Sequence, residues 1–171
     1  MIEERIVISD ANVIIDLLSV SLLEAFFALP CEICTTDFVI SEIARPEQQK
    51  MIQKFVKSKK LTVVSFDADE FSEVVLLRSK CPNNATIEDC SVWYYAKKVN
   101  GRLLTGDAKL RAAAEKDNVK VSGILYLFEK FVDHRILTAA EAAENLESLM
   151  TYNVRLPKGE CLSRIRKWRK G

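Results

Sequence analysis

Four acidic residues stand where a carboxylate could do chemistry. Asp10 and Asp107 each follow a short aliphatic run that is typical of a buried β-strand. Asp89 and Glu42 fall on the apolar stripes of two helical patterns, one turn from large apolar side chains. A carboxylate in such a place is costly to desolvate unless it meets a cation or hydrogen-bond donors. We therefore treat the four residues as one candidate site.

Each acid also has a purely structural explanation. Asp10 and Asp107 could cap the helices that follow them. Asp89 could complete a capping box, and Glu42 could lie at the edge of its apolar stripe. These explanations account for the acids one at a time, whereas the joint pattern favours a shared role.

Four converging carboxylates need a counter-charge. Two carboxylates about 5 Å apart repel each other by roughly 3 kcal/mol at an effective dielectric constant of about 20. Because the chain offers a single histidine, the natural counter-ion is a hard divalent cation with oxygen ligands, Mg²⁺ or Mn²⁺. Such an ion activates water and stabilises charge on a phosphoryl group. Phosphodiester hydrolysis is therefore the leading chemistry.

The elements that would carry these residues alternate along the chain. Short β-branched runs predict five strands, at 5–9, 31–35, 61–65, 102–105 and 119–122. Helical patterns lie at 11–28, 37–57, 67–80, 86–99, 108–117, 123–133, 138–151 and 159–169. Asp67, Thr86 and Thr138 open capping-box-like starts, and Asn100-Gly101 is a helix stop. The alternation predicts an α/β fold with a parallel sheet, whose crevice lies at the carboxyl ends of the strands, where the strand order reverses.

A family resemblance rests on four short motifs. They are Ile6-Val-Ile-Ser-Asp10-Ala-Asn12, Glu42 on the helix after the second strand, Asp89 in Ile-Glu-Asp-Cys, and Leu-Leu-Thr105-Gly-Asp107. In order and approximate spacing, over roughly residues 5–130, they resemble the PIN domain. The helical C-terminal part is more loosely similar to small prokaryotic PIN proteins, including relatives of VapC toxins. The resemblance implies a three-layer α/β/α fold with a five-stranded parallel sheet.

The resemblance also implies a function. It implies an endoribonuclease that depends on Mg²⁺ or Mn²⁺ and hydrolyses RNA phosphodiester bonds. Such proteins are often homodimers and often held inactive by a small antitoxin, which makes the toxin of a toxin–antitoxin pair the specific expectation. Carried over by position, the catalytic and metal-binding acids are Asp10, Glu42, Asp89 and Asp107, and the supporting polar residues are Asn12 and Thr105.

Basic residues supply candidate contacts to RNA. Lys109 and Arg111 follow Asp107 closely, although a solvated helix face is the simpler interpretation. Residues 158–171 carry a local charge of +5, which leaves −4 for the rest of the chain. Their candidate RNA contacts are Arg166, Trp168 and Arg169. The alternative is a short terminal helix that packs Trp168 onto the body of the protein while its charges stay in water.

Composition limits the other classes of protein. The chain has 171 residues, 49% of them hydrophobic and 29% charged, which predicts one globular domain, or a domain with a small appendage. The resemblance implies a PIN-like nuclease domain at 1–135, with a helical extension and basic tail at 136–171 packed on the same domain. No apolar stretch suits a membrane span and the acidic start is unlike an export signal, so we expect a cytoplasmic protein with reduced cysteines. Cys31 and Cys34 form a CxxC pattern, but they fall inside a predicted strand and favour burial over redox chemistry.

Two other functions compete with the nuclease. One is a catalytically silent PIN-like module that binds RNA or a protein partner. The other is a phosphatase that uses Asp10 as its nucleophile, but that pattern calls for a second aspartate where Asn12 stands.

Overall fold

The computed structural model describes residues 2–81 and 85–171, which form five strands and ten helices. The strands are β1 (Glu4–Ile8), β2 (Cys31–Thr36), β3 (Leu61–Val64), β4 (Arg102–Leu104) and β5 (Lys120–Ser122). The first five helices are α1 (Ala11–Ser19), α2 (Leu23–Phe27), α3 (Asp37–Ser41), α4 (Pro46–Lys57) and α5 (Ala68–Ser79). The others are α6 (Ile87–Lys98), α7 (Ala108–Lys116), α8 (Ile124–Asp133), α9 (Ala139–Tyr152) and α10 (Lys158–Arg169).

The five strands form one parallel sheet in the order β3-β2-β1-β4-β5. The chain winds from β1 through β2 to β3 in one direction and from β4 to β5 in the other. Since crossovers between parallel strands are right-handed, this winding places helices on both faces of the sheet. The predicted α/β fold with a five-stranded parallel sheet is confirmed. The strand order reverses between β1 and β4, which makes the carboxyl ends of those two strands the place to look for a site.

The sheet is buried because its strands are apolar on both faces. Ile6, Val7 and Ile8 of β1 are fully buried, as expected for a central parallel strand covered on both sides. Val7 belongs to a core cluster with Trp93 of α6 and Leu110 of α7. This cluster fixes α6 and α7 on one face of the sheet, and these helices carry two of the four acids.

Helix boundaries follow the capping signals. Thr86 and Thr138 each begin a helix with a complete capping box. The threonine hydroxyl accepts from the backbone N–H of the third helical residue, and the acidic side chain of that residue accepts from the backbone N–H of the threonine. Asp67 caps α5 by accepting from the backbone N–H of Glu70 at 2.8 Å. Asn100 takes the left-handed conformation that ends α6, with a φ of 51°. A Cβ at Gly101 would lie 3.2 Å from the Arg5 carbonyl oxygen, so close backbone approach favours glycine there.

Two predicted helices are each divided into two. The pattern at 11–28 forms α1 and α2, with Ser21 between them at a left-handed φ of 57°. The pattern at 37–57 forms α3 and α4, because Pro46 cannot continue a helix and starts a new one at its first position. Arg45 before it is extended, at a φ of −78° and a ψ of 123°. The break after α3 leaves Glu42 at a helix end.

Contacts divide the chain into two compact units. The first comprises the chain up to Ala11 together with Pro30–Ser122, and it contains the sheet. The second comprises Asn12–Leu29 and Gly123–Gly171. In the second unit α10 packs on α9. The Trp168 ring stacks on the Phe128 ring, with 6.5 Å between the two ring centroids. The division after residue 135 stays a prediction. Within the described ranges, no helix combines the length and the apolar character needed to cross a bilayer.

Candidate active site

Two neighbouring strand ends bring Asp10 and Asp107 to the same edge of the sheet. The backbone N–H of Ser9, which follows β1, donates to the Leu104 carbonyl at the end of β4, at 3.0 Å. Asp10 is half-buried, and the Ser9 hydroxyl lies 3.4 Å from its Oδ2. Asp107 is exposed and caps α7, because its Oδ1 accepts from the backbone N–H groups of Lys109 and Leu110 at 2.8 and 3.2 Å.

The third acid, Asp89, comes from the first turn of α6. This helix packs against β1, β2 and β4, the strands around the point where the order reverses. Asp89 is half-buried, and its Oδ2 accepts from the backbone N–H of Thr86 at 3.2 Å. The first turn of α6 therefore holds this carboxylate at a fixed place.

Electrostatic effects connect Glu42 and Asp89 with the other two acids. Glu42 is exposed just after α3; even so, partial desolvation raises its pKa, and the charges of Glu88, Asp89 and Asp10 raise it further. Partial burial also raises the pKa of Asp89, hydrogen bonds from Thr86 oppose that change, and the charges of Asp107 and Asp10 add to it. Because Asp89 responds to Asp107 and both Glu42 and Asp89 respond to Asp10, all four belong to one field of negative charge.

The capping role and a ligand role are compatible at two of these acids. Asp89 uses Oδ2 in its capping box, and Asp107 uses Oδ1 to cap α7. In the described part of the chain, no donor hydrogen-bonds to Asp89 Oδ1 or Asp107 Oδ2. Capping orients each carboxylate and leaves one oxygen available, so the structural explanation does not compete with the chemical one.

The four acids offer the right ligand atoms for a divalent cation, but their side chains are too far apart to hold one. Their oxygens are the ligands that Mg²⁺ and Mn²⁺ prefer. Within residues 2–81 and 85–171, however, no three acidic, cysteine or histidine side chains are close enough together to hold an ion. Mutual repulsion opposes their closer approach, so an ion at this site would require the carboxylates to move towards one another.

Thr105 supports Asp107 directly. It is buried at the end of β4, and its Oγ1 accepts from the backbone N–H of Asp107 at 3.1 Å. Asn12 is exposed in the first turn of α1 and belongs to the second unit. This hydrogen bond supports the role of Thr105 in orienting Asp107, whereas the role of Asn12 stays a prediction.

The basic candidates differ in their surroundings. Lys109 is exposed and Arg111 is half-buried on α7. Arg166 is exposed on α10, and the Arg169 guanidinium pairs with Glu147 at 2.6 Å. Trp168 is only 6% exposed because its ring packs in the second unit. Its assignment as an RNA contact needs correction, since a buried ring cannot stack on a base, and the packed-helix alternative describes it.

Sequence reasoning missed three residues near the acids. Glu88 precedes Asp89, and its charge acts on Glu42. Thr36, which caps α3, and Ser91 of α6 are fully buried, and their hydroxyl oxygens lie 2.8 Å apart. This bond ties the helix that ends at Glu42 to the helix that carries Asp89. The Ile-Glu-Asp motif contains Glu88 and could have indicated it. No local sequence pattern, in contrast, connects two hydroxyls that are 55 positions apart.

Replacing Ser91 with alanine is expected to destabilise the first unit. The Ser91 hydroxyl donates to the Glu88 carbonyl at 2.7 Å, so Thr36 is the donor of the 2.8 Å bond between the two hydroxyls. The Thr36 O–H would lose this acceptor in a fully buried position, although its oxygen still accepts from the backbone N–H of Val39. A buried donor left without an acceptor costs about 1–3 kcal/mol, so the free energy of unfolding should fall by an amount in that range. Urea denaturation checks this, with exposed Ser72 of α5 replaced by alanine as the control. Equal stability of the Ser91→Ala variant and the wild type would show that the pair does not tie α6 to α3.

A doubly wound parallel sheet with acidic residues at its switch point defines an α/β protein. A family model described as a PIN domain matches residues 6–170. The chain therefore belongs to the PIN domain family, whose members are generally nucleases.

Other comparisons add little about function. The chain is similar to PAE2754 from Pyrobaculum aerophilum, whose crystal structure matches with 16% sequence identity and a TM-score of 0.49. That match covers 72% of this chain and 91% of the other. No curated protein matches the sequence.

Proposed function

We propose that this PIN-domain protein is an endoribonuclease that depends on Mg²⁺ or Mn²⁺ and hydrolyses RNA phosphodiester bonds. The observation that carries the proposal is the shared electrostatic field of Asp10, Glu42, Asp89 and Asp107 around the switch point of the sheet. The pKa values of Glu42 and Asp89 are raised by partial burial and by the charges of neighbouring acids, and carboxylates of this kind gain from a divalent cation. Family membership supports a nuclease in general terms.

Each acid has a distinct task in this proposal. Asp89 and Asp107 offer the oxygen that capping leaves available, and Asp10 follows β1, the strand next to β4 in the sheet. Thr105 keeps the Asp107 backbone in place at 3.1 Å. A divalent ion held here supplies a more acidic bound water and a counter-charge for the phosphoryl group. Glu42 would be a further ligand of the ion, and because its pKa is raised, its carboxylate is also suited to accept a proton from the attacking water.

The biological setting is a narrower part of the same proposal. The resemblance to VapC-like proteins supports the toxin of a toxin–antitoxin pair, a cytoplasmic location, a homodimer, and a small antitoxin as partner. Mass measurement of the purified chain tests the homodimer. Growth arrest on expression, relieved by co-expression of a small protein encoded beside it, tests the toxin assignment.

A catalytically silent binding module is the second candidate. One observation favours it: in the described part of the chain, no three potential ligands lie close enough together to hold an ion. Such a module would bind RNA through the same fold without hydrolysing it. The two candidates differ in one measurable property, the metal-dependent cleavage of RNA.

Incubation with a mixed pool of structured RNA tests the proposal. We expect cleavage in Mn²⁺ or Mg²⁺, none in EDTA, and none by an Asp10→Asn variant in either metal. Binding of the pool without cleavage in either metal would favour the silent module. Equal cleavage by the wild type and the variant would indicate a contaminating nuclease and would remove Asp10 from the mechanism.

A further inference from the structure

Buried polar side chains are concentrated in one part of the molecule. Within residues 2–81 and 85–171, five polar side chains are buried and all of them carry a hydroxyl; they are Ser9, Thr35, Thr36, Ser91 and Thr105. All five belong to the first unit. The second unit, which is described throughout, buries apolar side chains only. Because a hydroxyl is costly to bury unless it is hydrogen-bonded, this concentration needs a local explanation.

The five hydroxyl groups, which together we call the hydroxyl layer, stand on the segments that carry the acids. The positions are Ser9 before Asp10, Thr35 and Thr36 before the helix that ends at Glu42, Ser91 shortly after Asp89, and Thr105 shortly before Asp107. The Ser9 hydroxyl donates directly to Asp10 Oδ2 over 3.4 Å. In the described part of the chain, every buried side-chain oxygen has a hydrogen-bond partner. The bonds of the hydroxyl layer can therefore fix where the acids lie.

One bond of the hydroxyl layer joins β2 to β1. The Thr35 hydroxyl donates to the Ile8 carbonyl at 3.0 Å, and both residues are fully buried. The register of the two strands pairs Val7 with Cys34, so Thr35 stands beside Ile8 at the point where β1 ends. Asp10 follows two positions later. This bond therefore holds the backbone that leads into Asp10 against the strand that leads into α3.

A second set of bonds joins α3 to α6. The Thr36 hydroxyl donates to Ser91 Oγ at 2.8 Å, and the Ser91 hydroxyl donates to the Glu88 carbonyl at 2.7 Å. Thr36 is the N-cap of α3, and Glu42 is its C-cap. Glu88 directly precedes Asp89 in the first turn of α6. This chain of bonds therefore fixes the helix that ends at Glu42 relative to the backbone beside Asp89.

Hydroxyl groups suit this position because they are neutral and can both donate and accept. A buried lysine or arginine would neutralise the acids in place of a divalent cation, and a further carboxylate would add to their repulsion. Among the described residues, no charged side chain is buried. Bonds between neutral groups hold the acids near one another and leave their charge unchanged.

We propose that Thr35, Thr36 and Ser91 are positioning residues, whose bonds hold the backbones of three acids in the arrangement that a divalent cation requires. These acids are Asp10, Glu42 and Asp89. The inference rests on the proposed nuclease function and adds the residues that arrange its acids before an ion binds. Ion binding then requires movement of the carboxylate side chains alone. Without these bonds a backbone segment must also be ordered, and that cost lowers the affinity for the ion.

Substitutions in β2 provide a matched test of the bond to β1. Thr35→Val removes the hydroxyl and keeps a branched side chain at a buried strand position. Thr35→Ser keeps the hydroxyl and removes a methyl group instead. The control is Ile33→Val, a smaller side chain at a buried position on the same face of the same strand. All three changes cost some stability, so a difference in ion affinity between them reports on the hydroxyl.

The measurement is calorimetric titration of the full chain with Mn²⁺ after removal of metal by EDTA, in the absence of RNA. Loss of a residue that orients metal ligands typically costs 10–100-fold in metal affinity, so Thr35→Val and Ser91→Ala should each bind Mn²⁺ about 10-fold more weakly than the wild type. Thr35→Ser and Ile33→Val should keep the wild-type affinity. Because Thr35→Val and Ser91→Ala break different bonds, either variant tests the hydroxyl layer if the other does not fold.

The kinetics of RNA cleavage provide a second readout. At saturating Mn²⁺, the KM for RNA of Thr35→Val should equal that of the wild type, because a buried hydroxyl does not touch the substrate. The Mn²⁺ concentration that gives half-maximal cleavage should increase about 10-fold, in line with the weaker binding of the ion. A change in the KM for RNA at unchanged Mn²⁺ affinity would overturn the positioning role.

Mn²⁺ titration and cleavage assays together separate this inference from the proposed function. Equal Mn²⁺ affinity in the wild type, Thr35→Val and Ser91→Ala would overturn the positioning role, even if metal-dependent cleavage establishes the nuclease. An equal loss of affinity in Ile33→Val and Thr35→Val would also overturn it, because lost stability would then be the cause. Hydroxyl-dependent binding of Mn²⁺ without cleavage by the wild type would keep the positioning role and reject the nuclease. A wild type that binds no Mn²⁺ would overturn both.

Discussion

Replacing Asp107 with asparagine is expected to remove RNA cleavage and leave the fold intact. Asparagine is as good a helix cap as aspartate, so the bonds from Lys109 and Leu110 to position 107 can be kept. The neutral amide, in contrast, is a poor ligand for a divalent cation. Loss of a residue that only orients a metal ligand typically costs 10–100-fold in activity or metal affinity. Loss of a ligand itself should therefore reduce cleavage by at least about 100-fold.

Asp107→Ala is the variant that separates the two roles of this residue. It removes the ligand and also the cap of α7, which should lower the free energy of unfolding by about 1 kcal/mol. In EDTA the Asp107→Asn variant should be as stable as the wild type or slightly more stable, since like-charge repulsion is relieved. Urea denaturation and RNA cleavage of both variants check this. A large loss of stability in Asp107→Asn, with cleavage retained, would make Asp107 a structural cap alone.

Much of the fold could be predicted because short-range signals decide it. The runs at 5–9 and 102–105 are strands β1 and β4 to within one residue at each end, since buried parallel strands are nearly continuous in apolar residues. Thr86 and Thr138 mark their helices because a capping box is a local device. The divided helices were missed for a different reason. Apolar periodicity continues across both breaks. Pro46 is a local signal that outweighs the periodicity, whereas at Ser21 only the left-handed backbone shows the break.

The candidate site was partly predictable because two of its acids, Asp10 and Asp107, follow the ends of strands. The order of strands in the sheet then makes Asp10 and Asp107 neighbours, which no local pattern states. The hydroxyl pair of Thr36 and Ser91 depends on two helices that are distant in sequence and pack side by side. In the tail, residues 158–171, a local signal was misleading. Its positive charge favoured RNA binding through Trp168, but in the structure the Trp168 ring packs against Phe128.

Divalent cations are expected to stabilise the protein strongly at neutral pH and weakly at acidic pH. Glu42 and Asp89 have raised pKa values in the folded protein. Such groups favour the fold most below their unfolded pKa, and this contribution is lost as the pH rises through the folded pKa. Without metal, the site therefore destabilises the fold above about pH 4.5, the ordinary value for glutamate. A bound cation reverses this, because it favours the ionised carboxylates.

The size of the effect follows from mass action. At a concentration 100 times its dissociation constant, an ion that binds only the folded state adds about 2.7 kcal/mol. For a chain of this length that corresponds to an increase in Tm of about 5–11 °C. Thermal unfolding in EDTA and in Mn²⁺, at pH 5 and pH 7.5, measures it.

The Glu42→Gln variant tests whether the stabilising ion binds at the four acids. This variant stays neutral at position 42, so in EDTA its stability relative to the wild type should increase as the pH rises above about 4.5. In Mn²⁺ at pH 7.5 it should gain less than the wild type, because one ligand is missing. The control is Glu144→Gln, an exposed glutamate of α9 in the second unit, which should behave like the wild type in both buffers. Equal stabilisation by Mn²⁺ in the wild type and Glu42→Gln would place the ion elsewhere, because a ligand of the ion cannot be removed without weakening its binding.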